Sequence, residues 1–297
     1  MPSPSGPDFA RSLTGVRALL LDLDGVLIHK GHLIDGAVEA LGQLDAAGIP
    51  FLIATNTSLY HRMTLAEELT RAGLPVAPDR IVSAASSAAD YCRRRFGQKP
   101  LYVMGSPDGL REFRGLELIS HEQATRPNME VAAVVVGDAA DDFTPRNLQS
   151  AFLLLGRGAR FVAMHKSRWW LTPHGPAMDA GGYVVALEFA TQRRALLTGK
   201  PAPAFFHAGV RQLSEEALAA GQAPLTAAEV AMVGDDLWND VRGAQKAGLR
   251  GIFVRSGKHG DAELKRAAGE RPAWVPDAIA PSVLDIVADL TQEAKRA

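Results

Sequence analysis

The chain has 297 residues, 47% hydrophobic and 22% charged, enough to bury a sizeable core without disulfides. Its 32 basic and 33 acidic residues leave a formal net charge of -1, whereas a nucleic-acid surface needs a basic excess or stripe. Cys92 is the only cysteine, which excludes an intramolecular disulfide and points to a reducing, cytoplasmic setting. No apolar run has the length of a membrane-spanning helix, so no membrane partner is expected. Residues 1–12 have no basic region ahead of an apolar core and read as a loose arm.

In chain order, Ala18-Leu19-Leu20-Leu21 reads as a buried strand ending at Asp22, because a short continuous apolar run fits a parallel strand covered on both faces. Residues 35–44 are helical in pattern, with Gly48 as the stop. Residues 50–54 form a second buried strand, ending at Thr55-Asn56. Ser58 or a neighbour opens a helix that runs through Leu65 and Leu69 to Gly73. This alternation predicts a doubly wound parallel sheet.

The texture changes near Ser83. Residues 84–95 are a helix of small residues, 101–105 a strand and turn, 131–136 a strand, 147–155 a helix and 160–164 a strand. That stretch, about one hundred residues long, predicts a second α/β unit. Gly181-Gly182 opens a helix through Ala190. The first pattern then returns. A short strand leads to Gly199-Lys200-Pro201, and a helix spans 203–213. A strand over 229–233 runs into Gly234-Asp235-Asp236, a helix over 240–247 closes at Gly248, and a strand covers 250–255. Residues 272–281, rich in proline, read as a surface connection before a last helix over 283–290. The expected fold is α/β: a Rossmann-like doubly wound core from 1–84 and 180–297, with an α/β cap, 85–179, inserted.

Chemistry-bearing residues fall just past the C-terminal ends of these strands, where an open parallel sheet binds ligands. Asp22 and Asp24 flank one residue. The first can serve as a nucleophile and the second as an acid and base; an acidic turn is the plainer alternative. Asp235 adds a third carboxylate, and such a set with a substrate phosphate suits Mg²⁺. Asp240 either orients the other groups and Lys200 or is simply an acid at a helix start. Lys200 offers a compact positive charge, and Thr55 with Asn56 a hydroxyl and an amide at a helix entry. Each signal alone is weak; their shared position and order make a site.

The segments Asp22-Leu23-Asp24-Gly25-Val26, Thr55-Asn56, Lys200 and Gly234-Asp235-Asp236-Leu237-Trp238-Asn239-Asp240 resemble the four motifs of the haloacid dehalogenase (HAD) superfamily of hydrolases. The insert lies where that family's C2-type cap sits, and residues 147–170 and 181–191 resemble the cap of its subclass IIA. The resemblance implies a phosphatase acting on a small phosphorylated metabolite through an aspartyl phosphate. Asp22 would be the nucleophile and Asp24 the general acid and base. Mg²⁺ would be held by Asp22, the Asp24 backbone carbonyl and Asp235, and the phosphate by Thr55, Asn56 and Lys200. Similar proteins form cap-to-cap homodimers, so a homodimer is an assembly the resemblance allows. Trp169-Trp170 departs from a tyrosine pair frequent in relatives and bears on the substrate, not on the catalytic assignment.

Two other readings use the same core: a phosphotransferase or phosphomutase, and a non-catalytic ligand-binding protein. Against the second stands the intact set of Asp22, Asp24, Lys200 and Asp235. In the cap, His165, Lys166 and Arg168 are either anion contacts or an exposed basic strand end. Trp169 and Trp170 point to opposite faces, so at most one stacks on a ligand. His174 and Asp179 fall in an expected loop, as do His29 and Lys30 near the first motif.

Overall fold

The computed structural model describes residues 13–172 and 175–294. The expected arm and His174 lie outside them. In chain order the chain forms β1 (Ala18–Leu21), β2 (Ile28–His29), β3 (His32–Leu33), α1 (Ala37–Ala47), β4 (Phe51–Thr55), α2 (Arg62–Arg71), β5 (Ile81–Ser83) and α3 (Ala84–Phe96). There follow β6 (Leu101–Met104), α4 (His121–Ala124), β7 (Ala133–Val136), α5 (Pro145–Gly156), β8 (Arg160–Ala163), β9 (Trp169–Thr172), β10 (Gly175–Met178), α6 (Ala180–Thr191) and β11 (Leu196–Leu197). The chain ends with α7 (Pro203–Ala219), β12 (Val230–Gly234), α8 (Arg242–Lys246), β13 (Arg250–Val254), α9 (Asp261–Ala268), β14 (Ala278–Ala280) and α10 (Val283–Ala294).

These elements divide into two compact units. Among the described residues, the first takes 13–55, Glu68–Ile81 and 200–294, and the second takes Asn56–Glu67 and Val82–Gly199.

The first unit is built on a six-stranded sheet in the order β14-β13-β12-β1-β4-β5. β1 pairs in parallel with β12 and β4, and β12 with β13. Every residue of β1, β4 and β12 is buried, which explains their unbroken apolar sequences. The sheet thus has the doubly wound, Rossmann-like character expected. It also gains a strand where a surface connection was expected. β14 pairs in parallel with β13, Ile252 level with Ala278. Three residues between prolines carry no alternation for a sequence reading to find.

The second unit holds a four-stranded parallel sheet in the order β11-β8-β7-β6. Its two faces read as alternate residues. Val134, Val136, Phe161 and Ala163 pack with Leu154 and Leu155 of α5 and Val184 and Leu187 of α6. Ala133, Val135, Val162 and Met164 pack with Ala85, Ala88, Ala89 and Cys92 of α3 on the other face. Helix α6 and strand β11 therefore fold with the second unit, whereas the sequence reading starts the returning core at residue 180. The reason is local: Val184 and Leu187 find their apolar partners in α5 and the strands of this unit, and β11 extends its sheet. β10, antiparallel to β9, occupies what reads in sequence as a loop.

Candidate active site

The strand registers decide which motif residues meet. Leu21 lies level with Val233 on one side and Ile53 on the other. The chain therefore leaves one edge of the sheet as Asp22, Thr55 and, just past Gly234, Asp235. Lys200 arrives at the start of the segment that leads into α7. All four side chains are buried, as is Asp240, which is fully so.

Lys200 joins two of the acids. Its Nζ lies 2.7 Å from Asp22 Oδ1 and 2.7 Å from Asp240 Oδ1. Burial works against its charge, but Asp22 and Asp240 outweigh it and hold the ammonium above the ordinary lysine range. Asp22, Asp235 and Asp240 each bring one carboxylate oxygen within 4.8 Å of the others. Burial, then the charge of Asp240, pushes Asp235 up to about 7. Burial, then Asp22, does the same to Asp240, against Lys200. Burial also raises Asp22. More negative charge converges here than the lysines neutralise. An all-oxygen donor set with an excess of negative charge fits a hard divalent cation.

The loop after β12 has its own frame. Asp236 Oδ1 accepts the N–H groups of Trp238 and Asn239, each at 2.9 Å, and its Oδ2 accepts the Asn239 amide at 2.7 Å. The Asp236 N–H donates in turn to Asp240 Oδ2 at 3.1 Å. These bonds wind residues 237–241 into one wide helical turn that carries Asp240 back toward Lys200. The expected helix over 240–247 is thus preceded by this turn, and its regular part is only Arg242–Lys246.

A second segment, not singled out in the sequence, closes over the acids. After β13, Ser256 Oγ donates to the Gly25 carbonyl at 2.6 Å. The Lys258 N–H donates to Asp235 Oδ2 at 2.7 Å, and its Nζ lies 2.8 Å from Asp236 Oδ2. His259 Nδ1 accepts the Leu237 N–H at 3.0 Å. Two glycines make the approach possible. A Cβ on Gly25, whose φ is +83°, would fall 2.2 Å from Asp235 Oδ2, and one on Gly257 would fall 2.0 Å from it. The available signal was positional: Ser256-Gly257-Lys258 follows another buried strand of the same sheet.

Asn56, read with Thr55 as one site, opens the second unit, while Thr55 closes β4 in the first. The residues after it are tied within the second unit. Ser58 Oγ accepts the Asp138 N–H at 2.8 Å and lies 3.1 Å from His165 Nε2. Asp108 Oδ2 accepts the His61 N–H at 2.7 Å, and Glu112 Oε1 accepts the Arg62 N–H at 2.8 Å. Side chains of the second unit thus satisfy the backbone at the start of α2.

His165 is buried rather than part of an exposed basic strand end, and burial depresses it to about 4. Its Nδ1 accepts the Ser167 N–H at 3.4 Å, so Nε2 carries the proton toward Ser58. Asp179 Oδ1 lies 3.7 Å from that same Nε2. A nucleophilic Ser-His-Asp relay needs the acid on the other nitrogen, so the trio is structural. Lys166 pairs with Glu188 at 2.7 Å. His29 belongs to the short β2–β3 hairpin, not to a loop.

An open parallel sheet with buried acids and a lysine at its C-terminal edge is the arrangement of a hydrolase of the HAD fold. The family model described as Haloacid dehalogenase-like hydrolase matches residues 19–119, and one described as HAD-hydrolase-like matches 197–285. The chain is 34% identical over 244 residues to haloacid dehalogenase-like hydrolase domain-containing protein 2 of Bos taurus, covering 82% of this chain and 86% of that one. It is 31% identical over 261 residues to the phospholysine phosphohistidine inorganic pyrophosphate phosphatase of Xenopus laevis, covering 84% and 87%. Its fold matches a 4-nitrophenylphosphatase from Thermotoga maritima with a TM-score of 0.80 and 26% identity, over 94% of this chain and 99% of that one. A p-nitrophenyl phosphatase from Archaeoglobus fulgidus matches with a TM-score of 0.79 and 25% identity, over 92% and 98%. The chain belongs to the haloacid dehalogenase-like hydrolase family, with the core and separate α/β region of that fold.

Proposed function

We propose that the chain is a Mg²⁺-dependent phosphatase that hydrolyses a small phosphorylated metabolite through an aspartyl phosphate on Asp22. The observation that carries this reading is the buried group of Asp22, Asp235 and Asp240 around Lys200 at the C-terminal edge of the sheet. The relatives named for phosphatase activity support it, and the phospholysine phosphohistidine inorganic pyrophosphate phosphatase extends the substrate class from phosphate esters to phosphoramidates and pyrophosphate.

In the first step a carboxylate oxygen of Asp22 attacks phosphorus, the bond to the leaving group breaks, and Asp24 gives that group a proton. In the second, Asp24 takes a proton from water, the water oxygen attacks phosphorus, and the bond to Asp22 breaks, releasing inorganic phosphate. Thr55, Asn56 and Lys200 hold the phosphoryl oxygens. Asp240 keeps Lys200 charged and in place. Asp22, the Asp24 backbone carbonyl and Asp235 would hold Mg²⁺, which supplies positive charge to offset that of the phosphoryl group.

The test is turnover of p-nitrophenyl phosphate by the full chain. Asp22→Asn is expected to lower the rate about a thousandfold or more with the fold intact; retained activity would overturn the assignment. A chelator is expected to stop turnover and added Mg²⁺ to restore it.

We place the enzyme in the cytoplasm, a reading supported by the lone, buried Cys92. Among the described residues no helix is long and apolar enough to cross a membrane. A homodimer is supported by an apolar stripe on the second unit. Met178, Val185 and Phe189 are 60%, 53% and 79% exposed, and Trp169, level with Met178 in the hairpin, is 51% exposed. Phe189→Glu is expected to convert a dimer to a monomer in sedimentation, and a wild-type monomer would remove this part of the reading.

A further inference from the structure

The acidic site is faced by a second cation that the reaction above does not use. Lys200 is buried between Asp22 and Asp240. Lys258 stands beside Asp235 and Asp236, its side chain 47% exposed, with Nζ 2.8 Å from Asp236 Oδ2. Asp235, Asp240 and Asp24 also lie within its field. Asp236 and Asp235 hold its ammonium above the ordinary lysine range, against the cost of partial burial. The nearby His259 adds no charge. Its Nδ1 accepts the Leu237 N–H, and burial keeps it below the usual histidine range.

The local charges do not balance. Among the described residues, Asp22, Asp24, Asp235, Asp236 and Asp240 are flanked by Lys200 and Lys258, a formal charge of -3 when all seven are ionised. A divalent cation and a phosphoryl dianion must share this ground. One positive charge acts on them with opposite sign, repelling the first and attracting the second.

Resting on the reading of the site as a Mg²⁺ and phosphate site, we propose that Lys258 is a fixed counter-charge that divides its affinity between the two, weakening the hold on the cation and strengthening that on phosphate. Lys258 is a positioning and charge-setting residue here, not a catalytic one.

The geometry makes the charge separable from the scaffold. The bond to Asp235 comes from the Lys258 backbone N–H and survives a change of side chain. Asp236 keeps its bonds from Trp238 and Asn239 when the ammonium is gone. Lys258→Met therefore removes a charge and leaves the loop's frame. A purely structural role predicts something else, because a loosened loop loses affinity for both ligands.

The experiment is titration calorimetry on the full chain, first with Mg²⁺ alone, then with inorganic phosphate on the Mg²⁺-saturated protein. Lys258→Met is expected to tighten Mg²⁺ and to weaken phosphate, each by about three- to tenfold, since the ammonium is partly screened by solvent. Lys258→Arg is expected to stay within about twofold of the wild type on both. Unchanged constants, or both constants weakened, would overturn the inference. If Lys258→Met does not fold, Lys258→Gln is read by the same criteria. Asp235→Asn separates the two levels. Absence of Mg²⁺ binding in the wild type, or its survival in Asp235→Asn, removes the metal reading and this inference with it. Binding that depends on Asp235 but ignores Lys258 removes the inference alone.

Discussion

At the scale of single residues, the site is a store of charge held out of water. Asp235 and Asp240, each raised to about 7, keep protons in the folded chain that they release when unfolded near 3.8. Their folded pKa values lie above the unfolded ones, so the metal-free protein loses stability as pH rises between those limits. A bound divalent cation competes with those protons. Mg²⁺ is therefore expected to raise Tm more at pH 8 than at pH 5, as thermal unfolding with and without the ion will show. Gly25 is a second point of leverage. Gly25→Ala brings a Cβ to 2.2 Å from Asp235 Oδ2 at a φ of +83°, and is expected to weaken Mg²⁺ binding, measured by calorimetry, about tenfold or more. Asp22, Thr55 and Asp235 were legible in the sequence because each ends or follows a buried strand of one sheet, and a side chain there can face only one edge; Lys200 follows β11, a strand of the other sheet, and was legible by its place in the motif order alone. Lys258 and His259 were not. Their place after β13 was the one signal; what they do depends on a loop returning across the sheet, which Ser256-Gly257-Lys258-His259 does not encode locally.

At the scale of elements, the start of α2 shows how unlike sequence neighbours can behave. The sequence places the helix opening near Ser58, a sound capping residue by type. In the structure Ser58 instead bonds Asp138 and His165, and the helix begins at Arg62, its first amides taken by Asp108 and Glu112. Asp108→Ala is expected to cost about 1 kcal/mol and to speed hydrogen exchange at the His61 amide, with Asp108→Asn closer to wild type. Unchanged exchange would show that water serves the helix start equally well. The strands read well where they were long and fully buried, as in β1, β4 and β12. They read poorly where pairing alone makes the strand, as in β14 at the sheet edge and in the β9–β10 hairpin.

For the whole molecule, two ionisations act in opposite directions. His165 is depressed from 6.5 to about 4 and fully buried, so the unfolded chain takes up a proton that the folded chain refuses. Its contribution is complete above 6.5 and is lost as pH falls toward 4, on the order of 3 kcal/mol. The raised aspartates lose theirs across nearly the same window as pH rises from 3.8 to about 7, so the two effects oppose each other there. Two aspartates outweigh one histidine, and without metal Tm is expected to fall as pH rises from about 4 to about 7. Mg²⁺ should flatten that fall and His165→Asn steepen it, while a slope unchanged in His165→Asn would show that other groups govern it. The division of the chain was legible in outline, as a core interrupted by an insert. Its seams were not, because α6 and β11 join whichever apolar face is nearest to theirs, and that is a three-dimensional fact.

The seam after β4 has a consequence for how such enzymes diversify. Residues 56–67 follow β4, the strand of the second motif, directly, yet they fold with the insert that begins twenty-six positions after Asn56, at Val82. An insert of this kind is not a cassette that can be lifted out between two cuts. A chimera that takes 82–199 from a relative inherits acceptors shaped for that relative's helix entry and leaves Ser58, His61 and Arg62 facing strangers. Compatible exchange needs residues 56–67 to travel with it, so that segment and the insert form one inherited block.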